Sequence, residues 1–348
     1  MRAMNDDQAK KPRAARKGQG RGVTMETVGR LAGVSQVTVS RALSDPSKVS
    51  PATLAKIQEA IAQTGFVPNA LAGALASSKS MLISALVPSI TNIVYSSMVK
   101  AFSEEMRREG YEILLSETGF NAEEEEKLIA AHLSRRPDAM FLTGIHHSAQ
   151  ARRMLLAAEI PVVEVWDITD SPIDFCVGFN HAETGRAAAE YARRKGFAQV
   201  GVVSAGDERA QRRGDAFVRE WERGGGGRVY RAFFDATATL ANGRAGLLRL
   251  LEQGFTGGLV HCSSDLLAHG VMIEARARGL DVPGQIAVLG FGDQPFADAV
   301  EPPITTVRVD LAAFGRAAAQ AMLGPLRGDR SGPAIIDLGF EIVERKSA

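Results

Sequence analysis

Three side chains on one short segment have the chemistry to read nucleic-acid bases: the amide of Gln36, the isopropyl group of Val37 and the guanidinium of Arg41. Glutamine can bond adenine at two points, arginine can bond guanine at two points, and valine can meet a thymine methyl. Each good polar pair contributes about 1–3 kcal/mol of discrimination. Such readout needs a helix presented to a groove, and residues 23–43 predict one. Thr24 is placed to cap a first helix on which Met25, Val28 and Leu31 recur inward, and Gly33 supplies a turn. Ser35 then caps a second helix with Val39, Ala42 and Leu43 inward, leaving Gln36, Val37 and Arg41 outward. This is a helix-turn-helix, whose second helix enters the major groove with its N-terminal residues at the base edges.

A second set of residues suits a small organic ligand. Tyr95 stands at the start of a helix expected over about 94–109, and Trp166 and Phe291 lie near strand ends. Their rings could pack against the carbon face of a ligand or equally fill a core. Asp293, after Gly290-Phe291-Gly292, could orient a cleft residue or cap a helix.

Other groupings carry less. The acids at 123–126 follow Asn121 and open a helix, where they meet its dipole, and are expected to be solvated. His146 and His147 are adjacent, so their side chains diverge, and no third ligand stands at metal spacing. Gly224 to Gly227 lacks the Lys-Ser/Thr of a phosphate loop and is expected to be a connector. Cys176 and Cys262 are distant and sit in apolar runs, supporting neither a disulfide scaffold nor a zinc site. Without an identifiable nucleophile, base or metal triad, neither an enzyme nor a cofactor is expected.

These residues must be positioned by more than one core, since 348 residues exceed one ordinary domain. The net charge of +1 conceals an asymmetry: residues 1–80 carry 12 Lys/Arg against 5 Asp/Glu, and the remainder 29 against 35. Only the N-terminal quarter is built to meet phosphate. Residues 1–22 are polar and basic, without the apolar core of a secretory signal, and are expected to be a disordered tail on a cytoplasmic protein. No apolar run is long enough to span a bilayer. Residues 23–68 are expected to form an all-α headpiece, its third helix starting at Ser50-Pro51, and 69–80 a short helical segment and linker. From Met81 onward, strand-like runs at 81–87, 112–115, 139–142, 162–165, 200–203, 258–261 and 286–289 alternate with helical segments. That pattern predicts an α/β core of two doubly wound lobes, 81–177 and 178–306, with the chain crossing back after 306 and ligand sites at strand carboxyl ends or between the lobes.

Gly33-Val34-Ser35, Thr38-Val39-Ser40-Arg41 and Val67-Pro68-Asn69, at these spacings, resemble the LacI family of transcriptional regulators. The segments 264–270, 290–293 and 303–308 are similar to that family's later blocks, so the resemblance runs from 23 to about 345. It implies a DNA-binding headpiece, a hinge helix, a periplasmic-binding-protein-like core, and a homodimer or dimer of dimers on a near-palindromic operator. The C-terminus has no leucine heptad, which favours the dimer. DNA contact falls by this resemblance to Thr24, Ser35, Gln36, Val37, Thr38, Ser40, Arg41, Asn69, Ala72 and Leu75, with Leu75 as a minor-groove wedge. Gly73 departs from a good helix former there.

By the same resemblance, Asp265 falls where relatives accept hydrogen bonds from a ligand, and Arg213 fits an Arg-x-x-Gly-aromatic pattern with Ala216 where glycine is usual. Arg209 and Arg212 leave that register open. An arginine fork suits a carboxylate. The segments 164–167 and 177–180 are similar to the gluconate-repressor subgroup, implying a sugar or sugar-acid effector that releases a repressor from its operator. The rival readings are a sugar-binding protein or enzyme with the same core but no specific DNA readout, and a DNA-architectural protein without an effector.

Overall fold

The computed structural model describes residues 23–68 and 79–348, and the chain divides into two units between Ser78 and Lys79. The basic tail and the hinge positions Asn69, Ala72, Gly73 and Leu75 lie outside the described residues.

In the first unit, α1 (Met25–Ala32) and α2 (Gln36–Ser44) are followed by a single 3-10 turn and α3 (Pro51–Thr64). The local signals act as expected. Thr24 accepts from the Thr27 amide, Ser35 accepts from the Thr38 amide, and Gly33 takes the left-handed conformation that ends α1, with φ 69°. The buried face differs from the expected one. Leu31 and Leu43 are exposed, and Val28, Gly29, Ala32, Val39 and Ala42 point inward with Ile57 and Ala60 of α3. Gly29 lies tight against the turn into α2, where an added Cβ would stand 2.8 Å from the Val34 carbonyl oxygen.

The second unit contains two sheets. The first lobe uses β1 (Leu82–Val87), α4 (Ile93–Arg108), β2 (Glu112–Glu117), α5 (Ala122–Leu133), β3 (Ala139–Thr143), α6 (Ala149–Ala157), β4 (Val162–Val165) and β5 (Phe175–Gly178). The second lobe uses α7 (His181–Arg194), β6 (Val200–Ala205), α8 (Glu208–Arg223), β7 (Val229–Phe234), α9 (Leu240–Glu252), β8 (Gly258–Cys262), α10 (Asp265–Ala277), β9 (Ile286–Phe291) and β10 (Thr305–Arg308). After β10, α11 (Leu311–Leu326) packs on α4, and β11 (Ile335–Asp337) joins the first sheet before β12 (Glu341–Val343) joins the second. The chain thus passes between the lobes three times, once more than the sequence pattern suggests.

The strand orders are β11-β5-β4-β3-β1-β2 and β12-β10-β9-β8-β6-β7, parallel except for the antiparallel β10–β12 pair. Order reverses beside β1 and beside β6, and in such sheets ligands bind outside the strand carboxyl ends at that reversal. The runs that form the central strands are buried along their length, as sheets covered on both faces require.

Helices α7 and α8 lie in close contact because Gly185 has no side chain: a Cβ there would stand 2.1 Å from the Arg213 carbonyl oxygen. Gly185→Ala should therefore push α8 away and cost about 1–3 kcal/mol or more of stability. Urea unfolding of the variant beside the parent measures this, and an unchanged midpoint would contradict it.

Candidate nucleic-acid interface and ligand cleft

On the headpiece, Gln36, Val37, Ser40 and Arg41 form the exposed face of α2, while Val39 and Ala42 anchor its other face. Val37 is 65% exposed on that face. Thr24 and Ser35 are occupied as caps, and the Ser35 hydroxyl also bonds that of Thr38 at 2.9 Å.

In the second unit, a cavity of about 380 Å³ opens at the strand carboxyl ends, and Tyr95, Trp166, Arg213 and Phe291 all line it. Trp166 follows β4 and adopts φ 75°, with its ring edge-on to Tyr95, Phe179 and Phe291. The aromatic residues are thus both core and cleft wall, each nearly buried while bordering the cavity. Burial pushes the Tyr95 phenol up to about 12, so it remains a neutral hydrogen-bonding group.

Arg213 is the cation of this cavity. Its Nη1 donates to His181 Nδ1 at 2.9 Å, its Nη2 donates to the Ser263 carbonyl at 3.1 Å, and its guanidinium carbon lies 3.8 Å from the centre of the Phe291 ring. Its buried Nε has no partner. Burial pulls the group down to about 10, and Arg209 and Arg212 act in the same direction. No carboxylate is recorded as hydrogen-bonding it among the described residues. The buried guanidinium thus has no carboxylate in hydrogen-bond contact and one donor without an acceptor, with Asp207 the nearest favourable charge. His181 escaped the sequence reading because it opens a helix after an ordinary Asn cap. Its Nε2 donates to the Trp166 carbonyl at 2.8 Å, leaving Nδ1 to accept from Arg213. Burial, reinforced by Arg213, holds it far below its ordinary value and therefore neutral.

The three arginines of α8 have separate placements. Arg213 faces the larger cavity, Arg209 faces a neighbouring one, and Arg212 is ion-paired with Asp167 at the end of β4, tying the second lobe to the first. His146 and Glu208, 3.1 Å apart, make another contact across the lobes.

Asp265 is corrected. It is fully buried and lies outside the cavity walls. One oxygen accepts from the Thr306 hydroxyl at 2.6 Å and the other from the Gln294 amide at 2.7 Å. Its carboxylate holds the backbone of Gln294, which does line the cavity. Burial outweighs those two bonds and raises it to about 6. Asp293 serves neither expected role: it pairs with Arg308 at 2.5 Å and Arg345 at 2.7 Å.

The acidic helix start is also corrected in part. Asn121 caps α5 as expected, yet Glu125 turns inward to bond His147 Nδ1 at 3.1 Å, and buried Glu164 stands 3.4 Å from Nε2. Local spacing cannot reveal an imidazole between carboxylates so far apart in sequence. Burial alone would push His147 down, but its bonds to Glu125 and Glu164 outweigh this and raise it to about 9. The folded value thus exceeds the unfolded one, so the charged imidazole contributes stability that is full below about pH 6.5 and lost as pH rises through 9, on the order of 3 kcal/mol. Unfolding at pH 6 and pH 9.5 should reveal that decline, and His147→Gln should flatten it. An undiminished decline in the variant would place its source elsewhere.

A family model described as "Bacterial regulatory proteins, lacI family" matches residues 24–69, and one described as "Periplasmic binding protein-like domain" matches 189–348. The chain is 35% identical over 330 residues to the HTH-type transcriptional regulator GntR of Pseudomonas aeruginosa, covering 93% of this chain and 95% of the relative. It is 29% identical over 320 residues to GntR of Escherichia coli K12, covering 91% and 96%. Among solved structures, a LacI family transcriptional regulator from Silicibacter pomeroyi has 30% identity and a TM-score of 0.88, covering 93% of this chain and 99% of that one. The lac repressor dimer bound to operator and the anti-inducer ONPF, at 24% identity, TM-score 0.80 and coverage of 94% and 99%, shares the fold.

Proposed function

The chain belongs to the LacI family of bacterial regulatory proteins, a DNA-binding transcriptional regulator and not an enzyme, and from that premise we propose a repressor released from its operator by a sugar acid. Gln36, Val37 and Arg41 read base edges, and Thr24, Ser35, Thr38 and Ser40 belong to the same contact face. Asn69, Ala72 and Leu75 complete it from the hinge. Two copies bind as a homodimer on two half-sites. The effector lies between the lobes with its carboxylate on Arg213 and its carbon face against Tyr95, Trp166 and Phe291. Headpiece, hinge and two-lobed core act as successive domains.

The observation that carries the effector reading is the buried Arg213 guanidinium with its unpartnered Nε and no carboxylate partner. The similarity to regulators named GntR supports the gluconate-type assignment. Thermal unfolding with gluconate and with neutral glucose tests it. Ligand at 100 times its dissociation constant stabilises by about 2.7 kcal/mol, so gluconate should raise the midpoint and glucose should not. No rise with any sugar acid would contradict the effector assignment and leave the regulator standing.

A further inference from the structure

Arg209 stands one helical turn before Arg213 on α8 and borders a second cavity of about 240 Å³, whose walls share Phe120, Gly206 and Asp207 with the first. Its side chain is 10% exposed. Nη2 lies 3.4 Å from the Tyr95 hydroxyl and 3.5 Å from an Asp207 carboxylate that also caps α8. Nη1 is buried with no partner. It lies against Gly144, another residue of the cavity wall.

The other polar groups around this cavity decide what can occupy it. Glu125, Asp167, Asp207 and Glu208 all line it, each already beside a cation or histidine: Glu125 beside His147, Asp167 beside Arg212, Asp207 beside Arg209, and Glu208 beside His146. A second anionic group placed here would compete with four carboxylates for cations they already engage, with one unpartnered guanidinium donor left over. An apolar group would leave that donor unsatisfied. A hydroxyl fits both demands, since its oxygen accepts from Arg209 and its hydrogen donates to a carboxylate.

We infer that this second cavity is a subsite for the uncharged, hydroxylated tail of an open-chain sugar acid, read by Arg209, and that it selects against a second negative charge. The inference rests on the proposal that Arg213 holds the effector carboxylate. The two arginines then divide one ligand, with Arg213 taking the charged end and Arg209 measuring chain length and tail chemistry.

Titration calorimetry of the full chain with three acids separates the two ideas: glycerate, with three carbons; gluconate, with six; and glucarate, which carries a carboxylate at both ends. The expected order places gluconate at least tenfold tighter than either of the others. Arg209→Gln should weaken gluconate about tenfold while leaving glycerate unchanged. Equal affinity for glycerate and gluconate, equal loss of both in Arg209→Gln, or glucarate binding as tightly as gluconate would overturn the subsite while sparing the Arg213 reading. Binding of none of the acids would overturn both. The ligand series on the unaltered protein remains decisive should the variant fail to fold.

Discussion

Arg213→Gln should abolish release from operator by a sugar acid while leaving operator affinity intact. The guanidinium is buried, engaged by His181 and Ser263, and unpartnered at Nε. Removing one partner of a buried, hydrogen-bonded charge pair costs about 2–5 kcal/mol. Effector affinity should therefore fall roughly 30-fold to several thousandfold. Glutamine is too short to keep the Nη bonds to His181 and Ser263, so the thermal midpoint without ligand must be measured beside the parent to show that the fold survives. The consequence is a repressor locked on its DNA, because a ligand shifts an equilibrium only by its differential affinity for the two states. Release at the parent's gluconate concentration would remove Arg213 from the contact.

Arg41→Ala should have the largest effect on the DNA side. The residue is exposed on the outer face of α2, opposite the Val39 and Ala42 anchor. Loss of one bidentate base contact costs about 1–3 kcal/mol. A homodimer loses it at both half-sites, which corresponds to roughly 30-fold up to four orders of magnitude in affinity. Binding to scrambled DNA should change far less, since phosphate contacts supply most nonspecific affinity. Equal weakening on both DNAs, with a shallower salt dependence, would make Arg41 a phosphate contact. Effector binding in this variant should follow the parent, and by reciprocity operator should weaken effector binding by the same factor that effector weakens operator binding.

What the sequence made legible follows the range of the interactions. Thr24, Gly33 and Ser35 set helix ends through bonds spanning three or four residues, so the headpiece could be read directly. Its buried face could not, because Leu31 and Leu43 stay exposed while Val28, Ala32, Val39 and Ala42 are buried, against the rule that large apolar residues mark the interior. The alternation of strands and helices identified two lobes, while β11 and β12, three residues each, were too short and too mixed in polarity to signal the third passage between them. In the cleft, Tyr95, Trp166 and Phe291 were legible from type and position, Arg213 only through the family resemblance, and the four converge on one cavity. His181, 32 residues from Arg213 in sequence, and the Glu125–His147–Glu164 cluster depend on tertiary contact and left no local trace. Asp265 illustrates the converse: its position was legible, but its bonds to Thr306 and Gln294 turn a presumed ligand contact into internal support.

The most direct test of the central claim is fluorescence anisotropy of the purified protein on labelled DNA from upstream of its own coding sequence, with scrambled DNA as reference and gluconate titrated into the complex. The account predicts binding that strongly prefers the upstream DNA and falls as gluconate is added. Equal binding to scrambled DNA, or a specific complex that no sugar acid disturbs, would contradict it, the first at the headpiece and the second at the cleft.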